Sequence, residues 1–360
     1  MSGSRYVHHY DKVWEKLLQK QQDRFPLRKY RERSILTTWT ISYEQVVRQS
    51  EAAGGLMRLW GFLASEDLWY QLIASIPEHE DCTKVTPWLL QLAEDELEFS
   101  DAVGLLVQYS LVETRRETSS HSMHSVLHRW CYYLCTEEEK SKLFRIAADG
   151  VAGLVPSSSG PEYWKLQRRL LPHGRRVLEG LILMVQAQSV EKQKENRETG
   201  VPGFAYHTLG VLFADRGKFA EAEKMYQRAL EGKEKALGPK HASTLITVDN
   251  LGSLYSDQGK LAEAEKMYQR ALEGKEKALG PEHTTTLDTV NNLGNLYRSQ
   301  GKLVKAGKMY QRALEGYEKV LGPEHTSTLS IVTQLSDVYM KQCFSYVLSR
   351  NTSKAKIWRP

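Results

Sequence analysis

Cysteine is scarce in this chain of 360 residues: Cys82, Cys131, Cys135 and Cys343 are the whole supply. So few, so widely scattered, exclude a disulfide framework and point to a reducing, cytoplasmic setting. Long apolar runs are also missing. No stretch reaches the ~18 residues that a membrane-crossing helix needs, and the opening MSGSRYVHHYDKVWEKL holds no apolar signal core. Nor does one sign of charge dominate. The net charge is +5, and acids alternate with bases in stretches such as 221–224 and 231–235, the pattern of a solvated helical face. This argues against a membrane or nucleic acid as partner. No GxxxxGK[ST] loop occurs, so nothing cradles a nucleotide phosphate. No Gly-rich nucleophile elbow or oxyanion loop occurs either. The expectation is a chain with no catalytic residue and no cofactor. At 41% apolar and 26% charged residues it is an ordinary globular composition with room for two or three domains.

What the sequence does have is repetition. The 42 residues 217–258 match 259–300 at 33 positions. Each copy predicts two antiparallel helices. Gly217, Gly259 and Gly301 make the turn between them, since Gly alone adopts a left-handed backbone freely. LeuGlyPro ends the second helix at Pro239, Pro281 and Pro323. Val290, Leu293, Gly294 and Tyr297 share one face of the first helix, and Ala264, Met267, Tyr268 and Ala271 one face of the second. These are the expected core. A lone helix pair cannot bury its apolar face, so the units should stack into an α-solenoid. Gly232, Gly274 and Gly316 interrupt the second helix at a cost of about 1 kcal/mol each relative to Ala. Either a contact too tight for a side chain or simple copying accounts for them.

Five of the nine differences between the copies fall in the first helix. They are Ile246/Asp288, Asp249/Asn291, Ser253/Asn295, Ser256/Arg298 and Asp257/Ser299. The first four step by 3, 4 and 3 residues and so share a helical face. The next copy changes them again, to Ser330, Thr333, Asp337, Met340 and Lys341. A conserved frame with one varied stripe is what a binding surface made by duplication would show. The expected groove residues are Ile246, Asp249, Asn250, Ser253, Ser256, Asp257, Asp288, Asn291, Asn292, Asn295, Arg298, Ser299, Thr333, Asp337 and Met340. Arg298 and Lys341 could read acidic groups. Asn250 and Asn292 could bond both polar groups of a peptide backbone, or tie adjacent helices together. His241, His283 and His325 recur with the frame, which suits capping or loop packing.

These residues resemble the tetratricopeptide repeat, over roughly 203–342. The 42-residue period and the LGPEH loop are similar to the kinesin-light-chain subtype. The resemblance implies that the first helices line a concave groove that takes a protein or peptide; self-association is left open.

Before the repeats, several short helices should precede a hairpin: helices over 43–61, 66–76, 88–93 and 99–109, then strands at 111–116 and 121–124. That order describes a winged-helix-like module. LTTWTISYEQ at 36–45, LWGFL at 59–63, GLLVQYSLV at 104–112 and MHSVLHRW at 123–130 resemble the winged-helix region of fungal NLR-type proteins of the NB-ARC class. The segment 163–173 is similar to the part joining that region to the repeats. The resemblance implies that Met123 and His124 stand where the family has an MHD element beside the nucleotide, with Ser125 in place of its Asp. It also implies that the P-loop domain lies upstream of Met1, so that this chain should neither bind nor hydrolyse ATP. The expected order is a helical remnant of a nucleotide-binding region (1–33), a winged-helix-like domain (34–140), a helical linker (141–202), repeats (203–342) and an irregular tail (343–360).

Two further constellations stand in the sequence. His121, His124, His128, Cys131 and Cys135 crowd into 15 residues. Ligands along one helix cannot close a zinc tetrahedron, and interleaved apolar residues suit a packed helix better, so no metal site is expected. Arg115, Arg116, His121, His128 and Arg129 form a modest basic patch for nucleic acid. A kinesin-light-chain-like cargo adaptor is the other alternative. It would need an N-terminal coiled coil, and 7–18 is under two heptads.

Overall fold

The computed structural model describes residues 35–76, 87–156, 160, 162–191 and 203–357, with side chains for 38–76, 87–156, 160, 162–182 and 203–344. The expected remnant at 1–33 and almost all of the loop expected at 77–87 lie outside these residues. The described fold is mainly α, with one two-stranded sheet.

The N-terminal module begins with α1 (Ile35–Gln49) and α2 (Glu51–Trp60). A single helix was expected over 43–61. The chain breaks at Ser50 instead, whose extended backbone and side chain cap α2 by accepting from the Ala53 amide. Next come α3 (Gln71–Ala74), α4 (Pro87–Glu94) and α5 (Glu96–Gln108), the last capped by Asp95. Strands β1 (Glu113–Arg115) and β2 (Ser120–Ser122) pair antiparallel with Thr114 opposite His121, at the place the hairpin was expected. Then follows α6 (Ser125–Leu134).

The segment 141–202 is not a linker over its described part. Helix α7 (Glu137–Gly153) starts on a capping box of Thr136 and Glu139 and buries Leu143, Phe144, Ile146, Ala147 and Val151. The Phe144 ring meets Phe62 edge-on at 4.6 Å. Helix α8 (Tyr163–Glu191) is clasped to the N-terminal module. Arg169 reaches both carboxylate oxygens of Asp67 at 2.9 and 2.7 Å and lies over the Trp69 ring at 4.1 Å. His173 accepts from the Ala64 amide at 3.2 Å through Nδ1, so its Nε2 carries the proton and donates to the Asp67 carbonyl at 3.0 Å. One apolar core therefore runs without interruption from Val46 to Leu254, across the module, α7, α8 and the first repeat.

The repeats follow as α9 (Gly203–Asp215) with α10 (Phe219–Leu237), α11 (Ala242–Asp257) with α12 (Leu261–Ala278), and α13 (Thr284–Ser299) with α14 (Leu303–Leu321). Gly217, Gly259 and Gly301 turn the chain at φ of 67°, 73° and 73°. His241, His283 and His325 are N-caps, each accepting through Nδ1 from the amide two residues on, at 3.2 Å. Val290, Leu293, Tyr297, Ala264, Tyr268 and Ala271 are buried as the spacing predicts, and Met267 is half-buried.

The tail corrects the expectation of an irregular segment. Helix α15 runs from Thr326 to Ile357. Cys343 stands where the other units have their turn glycine, and no Gly or Pro occurs between 326 and 357 to stop the helix.

Candidate functional site

The first helices of the units stand side by side and are stitched in register. The Asn250 amide donates to His207 Nε2 at 3.4 Å, Asn292 donates to Asp249 at 3.3 Å, and Arg298 lies 3.6 Å from Asp337. This wall carries the varied stripe, and its rows differ in environment. Ile246, Asp288 and Ser330 are exposed in all three copies, as are Asp257, Ser299 and Lys341. Between them Asp249 is buried, Asn291 half-buried and Thr333 exposed. Ser256 and Arg298 are half-buried and Met340 is exposed.

Part of the expected groove set is therefore packing. Asp249 is 7% exposed and lies 3.7 Å from the Lys275 ammonium. Burial raises the Asp249 carboxyl, against the pull of Lys275; burial likewise lowers Lys275, against the pull of Asp249. Ser253 and Asn295 accept from Tyr268 and Tyr310, the tyrosines of their own second helices, at 3.0 and 2.7 Å. Asp288 accepts from Tyr317. Asp337 is shared by Arg298 and Lys341. Asn250 and Asn292 take the second of the two roles foreseen for them, bridging neighbouring first helices. The physical reason is geometric: in a stacked array, the edge of the varied face meets the next unit before it meets solvent. What remains open to a ligand is Ile246 with Asp257 on one helix, Ser299 on the next, and Thr333 with Met340 on the last.

Two residues of this interface were missed. Lys275 continues the buried stripe Ala264–Tyr268–Ala271 at the next helical step, which was the available signal. It donates to Thr289 Oγ1 at 2.8 Å and to the Thr285 carbonyl at 3.2 Å. Its duplicate Lys233 donates to Thr247 Oγ1 at 3.1 Å and to the Ser243 carbonyl at 3.3 Å. In the place of Asp249, Lys233 finds His207. Burial takes Lys233 down to about 8, and burial, with Lys233 nearby, takes His207 to about 4.

The tempting clusters of the N-terminal module are dispersed. His128 Nε2 meets the Leu63 carbonyl at 2.8 Å, Cys131 packs on the Met123 sulfur and Cys135 bonds the Cys131 carbonyl. Among the described residues no group of three His, Cys, Asp or Glu side chains converges as metal ligands do. Met123 is buried, while His124 is exposed and caps α6 by accepting from Val126. Of the basic patch, Arg115 pairs with Glu66 at 3.2 Å and His121 meets Thr114. No described helix is long and apolar enough to cross a membrane.

Residues 203–277 and 284–342 match the family model of the tetratricopeptide repeat. The chain is 38% identical over 223 residues to a nucleotide-binding leucine-rich repeat (NLR)-like protein of Hyaloscypha variabilis. The match takes in 59% of this chain and 18% of that relative, so the chain spans under a fifth of the relative's length. Solved structures with similarity include a putative kinesin light chain with nearly identical TPR-like repeats from Podospora anserina, 19% identical, covering 61% of this chain and 99% of that one at a TM-score of 0.41. Another is a signal transduction ATPase with numerous domains and a tetratricopeptide repeat sensor from Pyrococcus horikoshii, 13% identical, covering 91% of this chain and 53% of that one at 0.35.

Proposed function

We propose that the chain is a non-catalytic, cytoplasmic interaction module whose first-helix wall takes a protein or peptide, corresponding to the sensor half of an NLR-like receptor. The carrying observation is that two rows of the varied stripe, Ile246/Asp288/Ser330 and Asp257/Ser299/Lys341, stay exposed in every copy and change between the first two copies, whose second-helix frame is unchanged. Neutral drift would scatter substitutions over all exposed faces. Between the first two copies the equally accessible outer face of the second helices is unchanged, since 220–238 and 262–280 are identical; the third copy varies on both faces, with Val304, Lys305, Gly307, Tyr317 and Val320 on its second helix. The exposed rows offer an apolar contact at Ile246 and hydrogen-bonding groups beside it, and Met340, exposed in the last copy alone, adds a second apolar contact. A winged-helix-like role for the hairpin and α6 belongs to the same reading, as a packing element rather than a nucleic-acid reader.

The test is selection of peptides on the whole chain from a random display library, followed by calorimetry on the best binder. Binding weakened about tenfold or more by Ile246→Glu or Ser299→Arg supports the reading. Binding indifferent to both changes, or no selectable peptide at all, overturns it. Calorimetry with ATP and ADP tests the missing switch: micromolar affinity for either would refute the non-nucleotide part.

A further inference from the structure

We propose that the C-terminal end of the solenoid is a self-association surface, on which a second copy of this chain packs its own α15 antiparallel to the first.

The observation is a comparison between identical residues. Leu329, Val332 and Tyr339 repeat Leu287, Val290 and Tyr297 one period earlier. The earlier three are 1%, 0% and 7% exposed, covered by the second helix of their unit; the later three are 49%, 42% and 47% exposed. The apolar identities persist although no second helix of this unit stands among the described residues, because α15 runs straight through Cys343 where the turn belongs. Met340 and Phe344, both 68% exposed, extend the same side.

The occupant follows from the pattern on α15. Leu329, Val332, Ser336, Tyr339 and Cys343 step by 3, 4, 3 and 4, the spacing of a two-helix seam. A second helix of another copy cannot fill it, since α10, α12 and α14 are each buried on their own first helices. Among the described residues, the complement the chain itself still offers is a second α15. A two-fold axis across that helix makes the pair antiparallel, the same orientation as the helix pair inside each unit, and gives an isologous interface that closes at a dimer. The axis falls at Ser336, the small residue that replaces Gly294, where an added Cβ would meet the Tyr310 ring of the second helix at 2.6 Å. Met340 of each copy then faces Val332 of the other, and Cys343 of each faces Leu329 of the other. Between 326 and 344 the only charged residues are Asp337 and Lys341, which pair with each other at 2.8 Å, so two such faces meet without repulsion. Helix α15 continues as far as Ile357, which lets each copy reach past the other's seam.

Sedimentation equilibrium of the full chain across the micromolar range tests the assembly. The expected result is a species of twice the 41.2 kDa chain mass. Leu329→Glu with Tyr339→Glu should weaken the dimer by at least about tenfold with helicity unchanged, because both side chains are exposed within one copy. Geometry is tested by oxidation in a Cys82→Ser background. Leu329→Cys should yield a disulfide-linked dimer through Cys343 of the second copy, and Leu329→Cys with Cys343→Ser should not. A wild type monomeric throughout the range overturns the proposal and leaves the face to a helix of another protein. A dimer that survives the double glutamate variant, or a cross-link that does not need Cys343, overturns it equally.

Discussion

The Lys275 ammonium lies 3.7 Å from the Asp249 carboxylate inside the stack, whereas its duplicate Lys233 shares the Thr247 hydroxyl with the neutral His207, at 3.1 Å on each side. Removing one partner of a buried ion pair strands the other charge, at a cost of about 3–5 kcal/mol. Removing a lone buried cation relieves its own desolvation. Lys275→Met should therefore destabilise the chain by about 3 kcal/mol. Lys233→Met should be neutral or stabilising near pH 7, where the ammonium still carries its charge. Urea unfolding of the two variants checks the opposition; equal losses would refute it.

A second contrast concerns one position in three copies. A Cβ at Gly274 or Gly316 would meet Leu245 or Leu287 at 2.4 Å, while at Gly232 the nearest atom is 3.9 Å away. Gly232→Ala should stabilise by about 0.5–1 kcal/mol through helix propensity. Gly274→Ala and Gly316→Ala should cost about 1–3 kcal/mol through overpacking. Thermal melts of the three single variants decide it. The tight contact expected as one explanation of these glycines is present at Gly274 and Gly316 and absent at Gly232.

The acid response has a definite sign. Burial takes His128, His173 and His207 from 6.5 down to about 4. Above pH 6.5 the three are neutral in folded and unfolded chain alike and cost nothing. As pH falls from 6.5 toward 4 the unfolded chain takes up protons that the folded one refuses. Stability should drop by on the order of 1 kcal/mol per histidine per pH unit in that window. Melting temperatures at intervals between pH 7 and 4.5 provide the check; a flat profile would show that the rings protonate in place.

The groove assignment separates two neighbours on one helix. Ile246→Ala should leave the melting temperature nearly unchanged and weaken a selected peptide. Asp249→Ala, which strands buried Lys275, should lower the melting temperature whatever the peptide does. Paired melting and binding curves on the two variants distinguish surface from seam.

Periodicity made the repeats readable, because Leu293 with Tyr297 and Ala264 with Tyr268 recur at helical steps and at a fixed 42-residue interval. The same periodicity misassigned Asp249, Ser253 and Asn295. A helical face can be read from spacing, but whether its edge meets solvent or the next unit depends on how the units stack. A coupled substitution held the missing clue: the position of Lys233 and Lys275 becomes Tyr317 in the third copy, as the facing His207 and Asp249 become Asn291. In the N-terminal half, the acidic opening of α7 at 137–139 concealed an inner face as apolar as any in the chain. Ser50 followed by Glu51 was a cap signal overlooked inside an apolar stretch.

The clasp of Arg169 and His173 on the 64–67 loop gives the molecule a mechanical property. Helix α8 shares one core with both the hairpin-bearing module and the first repeat. A load that bends the solenoid at α9 would reach α8 through that shared core, and Asp67 through the clasp. That loop adjoins the β-ribbon through the paired amide and carbonyl of Leu68 and His121. Deformation at one end is thereby delivered to the other as torque on a two-stranded ribbon.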